Sequence, residues 1–394
     1  MNNLMTAISL TEACTHLKIA HKVRATIILE AGGLDKVGDY LSKKKDQGSL
    51  PATILLENCI KAAKQHTSTK YPSDWRAVSI VDCDYPHRLR HIDQAPAILF
   101  TSGEKLNELS GAFVIAIIGS RSPSVYGLEV TKRFASEVAR LGVPIVSGGA
   151  RGIDAFAHRT ALDNGGSTFA VLGCGLDIGY PPEHRGLFGR IEKCGALLTE
   201  YVPGTKPKRW HFPARNRIMS GLCDAVLVTE ASASSGTMIT AGFAADQGRD
   251  VLAVPGSVLT GKSRSCHNLI RDGAILAEQI ADIPGLIESV ADGLKDRPGT
   301  TQIAESGNVC NECKQGTTAI DQPSENRRVN VRVLTTKDRL ILEVLENAPR
   351  SLTSLSEVCG LSHREVAYRI AILQKEGHIL MSRGLYTRAN LQRI

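Results

Sequence analysis

From residue 113 onward the chain repeats one pattern. Short apolar runs (FVIAIIG, VPIVSGG, TFAVLGCG, ALLTEYV, DAVLVTEA and DVLAVPG) alternate with amphipathic segments such as LEVTKRFASEVARLG, IDAFAHRTALDNGG and MITAGFAADQG. A strand that is apolar at every position has no face to give to water. With helices between such strands, the chain must build a parallel sheet covered on both sides. The expected fold class is therefore α/β, with an extended Rossmann-like parallel sheet core over residues 73–291. Its site is expected in the loops at the carboxyl ends of the strands.

The flanks read differently. Residues 1–72 carry helical apolar spacing with glycine stops, as in SLTEACTHLKIA, KVRATIILEAGG, LDKVGDYLSKKK and LPATILLENCIKAAKQH, and read as a small helical domain. Residues 292–335 are polar and rich in turn formers and read as a flexible linker. Residues 336–394 give three helices and a hairpin, the order of a winged-helix domain, with Ser362 and Glu365 opening the third helix as a capping pair. That fold binds DNA or docks proteins, and the order alone does not choose.

The totals bound the setting. At 394 residues and 42% hydrophobic content, the chain has material for two or three ordinary cores. No apolar run approaches the length of a membrane span, and the N-terminus does not read as a signal peptide. Most of the ten cysteines are scattered without metal or redox spacing, so reduced thiols and a cytoplasmic location are expected. Cys310 and Cys313 have metal spacing but no second pair, and no metal is expected. A net charge of +7 permits an anionic partner without demanding one.

Several strand-end loops suit an anion. The first strand runs into Gly119-Ser120-Arg121-Ser122-Pro123, with a helix opening near Gly127. Backbone N–H groups at a helix start favour negative charge, and Arg121 adds a bidentate phosphate donor. The plain alternative is a tight turn with an exposed arginine. The second loop, Ser147 to Asp154, repeats the layout: Gly148 and Gly149 permit close backbone approach, and Asp154 reads as a helix cap. The third, Gly173 to Gly179, lacks a dinucleotide fingerprint because Ile178 stands where glycine is needed; no cofactor is expected. The fifth, Glu230 to Thr237, binds an anion or caps its helix.

The most informative stretch is KRWHFPARNR, residues 208–217. Four cationic side chains and two aromatics lie within ten residues. Cations track a phosphate backbone while an aromatic face stacks on a base, a combination suited to single-stranded nucleic acid. The alternative is a solvated basic loop with an aromatic tucked into the core.

One motif points elsewhere. GSVLTGKS, residues 256–263, fits the phosphate-loop pattern, with Lys262 and Ser263 in the phosphate and magnesium roles. Three features oppose ATP: Pro255 stiffens the entry, Arg-Ser-Cys-His is a poor start for a phosphate-capped helix, and no later strand supplies an Asp for the metal. Lys262 and Arg264 remain available to DNA phosphates.

Together these loops resemble the DprA/Smf family of DNA-processing proteins of natural transformation. IAIIGSRSPSVYG, IVSGGARGIDAFAH, AVLGCGLDIGYPPEH, LLTEYVPGTKPKRWHFPARNRIMSG, VTEASASSGTMITAGFAADQGRDVLAVPGS and CHNLIRDGA carry the match, over roughly residues 113–276. The resemblance implies a non-enzymatic homodimer that binds single-stranded DNA without sequence preference. It implies protection of incoming strands, loading of the RecA recombinase and displacement of single-strand-binding protein. It places DNA contacts at Gly119, Ser120, Arg121, Gly148, Gly149, Arg209, Phe212, Arg215, Asn216 and Arg217. Departures stand at Cys266, where glycine is expected, and at His184, where asparagine is common.

An enzyme of the nucleoside-monophosphate phosphoribohydrolase type is the alternative. Its glycine-threonine loop is followed by a catalytic glutamate; here SSGTMIT places Thr240 at that position, and Glu230 precedes the loop. A pure docking protein is a third reading.

Overall fold

A computed structural model describes residues 3–66, 69–111, 113–233, 235–295, 336–375, 378–382 and 385–389. By internal contacts the chain divides into two units, Met1–Ser289 and Val290–Ile394.

Four helices open the first unit: α1 (Asn3–His16), α2 (His21–Ala31), α3 (Val37–Asp46) and α4 (Leu50–His66). The glycine stop read from the sequence is real at Gly32, which adopts φ +78° and closes its N–H onto the Ile28 and Leu29 carbonyls. The apolar faces of these helices do not make a core of their own. Leu4, Ile8, Ile28 and Leu55 share one buried cluster with Phe100, Ala170 and Leu197 of the sheet.

The sheet and its helices follow as β1 (Trp75–Ser79), α5 (His87–Arg90), β2 (Ile98–Ser102), β3 (Ile115–Ile118), α6 (Val125–Arg140), β4 (Ile145–Ser147), α7 (Ile153–Asp163), β5 (Thr168–Val171), α8 (Arg185–Cys194) and β6 (Ala196–Thr199). Then come α9 (His211–Gly221), β7 (Ala225–Val228), α10 (Thr237–Asp246), β8 (Asp250–Ala253), α11 (Arg264–Arg271), β9 (Ile275–Leu276) and α12 (Leu286–Lys295). The order across the sheet is β1-β2-β6-β5-β4-β3-β7-β8-β9. From β6 to β9 every pairing is parallel. β3, β5, β6 and β7 are buried at every residue, which is why their sequences do not alternate.

Two features extend this sheet beyond the alternating pattern. The stretch between the helical start and residue 113 supplies β1 and β2, which pair antiparallel with each other, and β2 in turn pairs antiparallel with β6, Phe100 opposite Thr199. The chain builds outward from β3 to β4, β5 and β6, then returns to lay β7 on the other side of β3, with Ile115 opposite both Ile145 and Ala225. That reversal parts the loops leaving β3 and β7 and opens a crevice at the carboxyl edge.

The second unit holds α13 (Thr336–Asn347), α14 (Leu352–Cys359), α15 (His363–Lys375), and a hairpin of β10 (Ile379–Ser382) with β11 (Leu385–Arg388). Three helices then a hairpin is the order expected there. Ser362 accepts the Glu365 N–H at 3.2 Å, as the capping signal predicts. Ile341, Leu355, Val366, Ile370 and Tyr386 are buried in this unit. The Cys310/Cys313 pair and most of the expected linker lie outside the described residues, while α12 continues to Lys295. Among the described residues no helix is long and apolar enough to cross a membrane.

Candidate nucleic-acid interface

The loop after β3 is pinned from below. The Ser120 N–H donates to the Glu230 carbonyl at 2.7 Å, and Ser120 Oγ accepts the Ser122 N–H at 3.1 Å. The buried Glu230 carboxylate accepts the Ser124 N–H at 2.9 Å and the Ser124 hydroxyl. Ser124 in turn caps α6 by accepting the Gly127 N–H at 3.1 Å. A methyl group on Gly119 would stand 2.8 Å from both Glu230 O and Ile153 Cγ1, so this turn closes tightly against its neighbours. Above the pinned backbone, the exposed Arg121 guanidinium lies over the Phe212 ring, 5.7 Å from its centroid.

The loop after β4 is held by a buried pair. Arg215 donates to the Gly148 carbonyl at 2.6 Å and also to the Val171 carbonyl. A Cβ on Gly148 would lie 2.6 Å from Asp154 Oδ2 and 2.7 Å from the Arg215 guanidinium nitrogens. Asp154 does not occupy the cap position expected of it. Gly152 does, and Asp154 sits inside the first turn of α7, its carboxylate turned back to the Ala150 N–H at 3.4 Å. Burial pushes the Asp154 carboxyl up, and the Arg215 guanidinium opposes that shift. Burial likewise lowers the Arg215 pKa against the Asp154 charge.

The basic stretch becomes the start of α9, and helical spacing sorts it. Phe212, Arg215, Asn216 and Met219 share a face at i, i+3, i+4 and i+7 and turn toward the crevice. Arg217 falls on the far side. It is buried, donating to Glu200 at 2.9 and 2.7 Å, to the Gln94 carbonyl at 3.1 Å and to the Ala214 carbonyl at 2.9 Å. His211 also points inward, its Nδ1 3.0 Å from the Gly173 carbonyl and its ring stacked on Tyr201. Trp210 is exposed, with the Lys208 ammonium 5.5 Å from its ring centroid.

These loops converge on one groove of about 620 Å³, lined by Gly119, Ser120, Arg121, Arg209, Phe212, Arg215 and Asn216 among others. Gly148 and Gly149 line a smaller hollow that shares Arg121 and Phe212 with it. Of the ten residues expected at the site, Arg217 alone lies in neither hollow. Four cations line the groove, Arg121, Arg209, Arg215 and Lys262, against one acid, Asp154, which is buried beside Arg215. The lining is therefore electropositive and suits a polyanion.

The structure adds Tyr180, which the sequence reading did not place at the site, and brings two of its other candidates, the loop after β7 and Lys262, to the same groove. Tyr180 lines both hollows, its ring 5.7 Å from Phe212. Ser232, Ser235, Gly236, Thr237, Ile239 and Thr240 also line the groove, and Ser235 Oγ accepts the Thr237 N–H at 3.2 Å at the start of α10. An aromatic just before a proline in a strand-end loop was the available signal for Tyr180. Lys262 turns to the first loop and donates to the Ser122 carbonyl at 3.1 Å. Among the described residues no group of three or more His, Cys, Asp or Glu is placed to hold a metal.

Comparison with known proteins agrees with this architecture. Residues 76–288 match the family described as DNA recombination-mediator protein A. The chain is 41% identical to DNA processing protein DprA of Streptococcus pneumoniae over 230 residues, 58% of this chain and 80% of that protein. It is 35% identical to protein Smf of Synechocystis over 318 residues, 77% of each chain. The X-ray structure of DNA processing protein A from Streptococcus pneumoniae aligns with a TM-score of 0.59 at 35% identity, covering 72% of this chain and 96% of that one. The matched region holds the sheet and the loops that build the groove, and the chain belongs to the DNA recombination-mediator protein A family, the DprA/Smf proteins.

Proposed function

We propose that this protein binds single-stranded DNA in the groove at the carboxyl edge of its sheet, without sequence preference and without catalysis. The carrying observation is the convergence of the loops after β3 and β4 with one face of α9 on a single electropositive hollow. Arg121, Arg209 and Lys262 would neutralise phosphates, Phe212 would stack on a base, and Arg215 with the two glycines would hold the floor. Gly119 and Ser120 offer backbone at the strand end, and Asn216 a side-chain amide. Arg217 serves the fold rather than the contact.

On this reading the protein acts in the cytoplasm as a homodimer. It protects incoming strands in natural transformation and homologous recombination, displaces single-strand-binding protein and loads the RecA recombinase. Family membership supports the reading; the geometry supports its DNA-binding part. The same proposal divides the chain into a helical domain (1–72), the DNA-binding core (73–291), a linker (292–335) and a winged-helix domain (336–394). In that last unit Arg369 pairs with Asp338 at 2.9 Å and Lys337 with Glu365 at 2.6 Å. Acids of the same unit partner these cations of α13 and α15, which favours docking to protein over reading a duplex.

The phosphoribohydrolase alternative meets two obstacles. Thr240, at the glutamate position, carries no carboxylate. Glu230 is wholly buried and engaged with the Ser124 N–H and hydroxyl, so it is not free to act as a base.

Fluorescence anisotropy with a labelled oligonucleotide, single-stranded and then duplex, tests the proposal in wild type and in the Arg121→Ala/Arg209→Ala variant. Preference for the single strand, lost in the variant, is expected. Binding untouched by the substitutions would move the DNA site away from the groove.

A further inference from the structure

The phosphate-loop look-alike GSVLTGKS has a different use. Both its ends are tied down. The Tyr126 hydroxyl donates to the Pro255 carbonyl at 2.5 Å, and the His267 Nε2 stands 3.1 Å from the Gly256 carbonyl. At the far end the Lys262 ammonium reaches the Ser122 carbonyl, and Ser263 is buried, packed directly on Gly256. The tip between these ties is a turn in which Ser257 Oγ accepts the Leu259 N–H at 3.2 Å. It holds Val258 79% exposed and Leu259 93% exposed. Two aliphatic side chains kept in water on an anchored turn add nothing to the core. Covering them favours a partner in proportion to the apolar area removed from water.

We propose that Val258 and Leu259 form an apolar rim of the groove that packs against the bases of a single strand as it leaves past Lys262. The occupant is the DNA itself, and the inference rests on the groove being a single-strand site. Continuity argues for that occupant: Lys262, in the same loop, lines the groove and is anchored on the loop that carries Arg121. Lys262 supplies a cation for a phosphate, and Val258 and Leu259, four and three residues before it, supply an apolar surface that a neighbouring base can cover.

The test uses the full chain with Val258→Ser/Leu259→Ser and thymidylate strands of about six and about twenty nucleotides, lengths that bracket common single-strand site sizes. The short strand should bind as in wild type. The long strand should bind roughly tenfold more weakly with an unchanged salt slope, since an apolar contact is lost and no phosphate contact is. Leu259→Phe should restore or tighten long-strand binding. An unchanged affinity for the long strand would overturn the inference. So would an altered oligomeric state by light scattering with unaltered DNA affinity, which would mark the tip as a protein surface. Failure of the wild-type protein to bind either strand is a separate result that overturns the groove reading itself.

Discussion

Arg121 and Phe212 come from different loops, yet the guanidinium of one lies on the ring of the other, 5.7 Å from its centroid. The residue proposed to hold a phosphate is thus positioned by the residue proposed to stack on a base. Arg121→Ala should flatten the salt dependence of binding by about 0.7 in slope. Phe212→Ala should cost roughly 1–3 kcal/mol from stacking. Because removing the ring also frees the arginine, the double variant should lose less than the sum of the two. Anisotropy titrations across a salt series measure all three; strictly additive losses would show that the ring does not position the arginine in the complex.

Arg217 and Glu200 form a two-pronged buried ion pair, each 6% exposed. Arg217→Ala should therefore act on stability, leaving a buried carboxylate unpaired at a cost of about 3–5 kcal/mol. Replacing both partners by methionine should recover much of that loss. Urea unfolding measures the stability and anisotropy on the folded fraction measures binding. Weakened DNA binding at unchanged stability would return Arg217 to the interface.

How far this was legible in the sequence follows from what each signal depends on. The apolar runs that became β3 to β8 were readable because strands buried in a covered sheet carry few polar residues, and the buried exceptions Ser147, Thr168 and Thr199 each donate a hydroxyl to a backbone carbonyl. The site's loops were readable because strand ends in such a sheet are where ligands sit, and glycine beside arginine marks them. β1 and β2 were not, since antiparallel additions at a sheet edge follow no crossover rhythm. Within KRWHFPARNR, composition alone put Arg217 with Arg215 and Asn216. Once the stretch is a helix, five residues from Phe212 is most of a half-turn off its face, and only that geometry separates a groove residue from a buried one. The loop from Glu230 to Thr237 and Lys262 were legible as candidates, one as an anion loop and the other as a phosphate contact, but the anchoring of Lys262 on Ser122 depends on a contact distant in the chain, which no local pattern encodes.

Gly148→Ala should disturb both binding and folding. The added methyl would lie 2.6 Å from Asp154 Oδ2 and 2.7 Å from the Arg215 nitrogens, so the loop or the pair must shift. Asp154 and Arg215 line the same groove as Arg121 and Phe212. Affinity for single-stranded DNA should fall at least tenfold, with a stability loss of about 1–3 kcal/mol from overpacking. A calorimetric melt alongside the binding curve separates the two effects. Unchanged affinity would show that the floor tolerates movement and that the phosphate contacts lie elsewhere.

His158 sets a pH limit on the fold. It is fully buried on α7, its Nδ1 2.7 Å from Thr168 Oγ1, whose own proton goes to the Ile145 carbonyl at 2.8 Å. Thr168 must therefore accept from Nδ1–H, which leaves Nε2 unprotonated and, among the described residues, without a partner. Protonating it would bury an unpaired charge, and burial depresses its pKa to about 3 from the ordinary 6.5. The unfolded chain binds the proton first as pH falls. The histidine's stabilising contribution is thus complete above pH 6.5 and is lost progressively from there toward pH 3, at up to about 1.4 kcal/mol per pH unit. His158→Gln keeps a donor for Thr168 and removes the titration. It should be less stable than wild type at pH 7.5 and lose stability less steeply between about pH 6 and 4. Urea unfolding at a series of pH values gives both curves; parallel slopes would mean that other groups govern the acid limit.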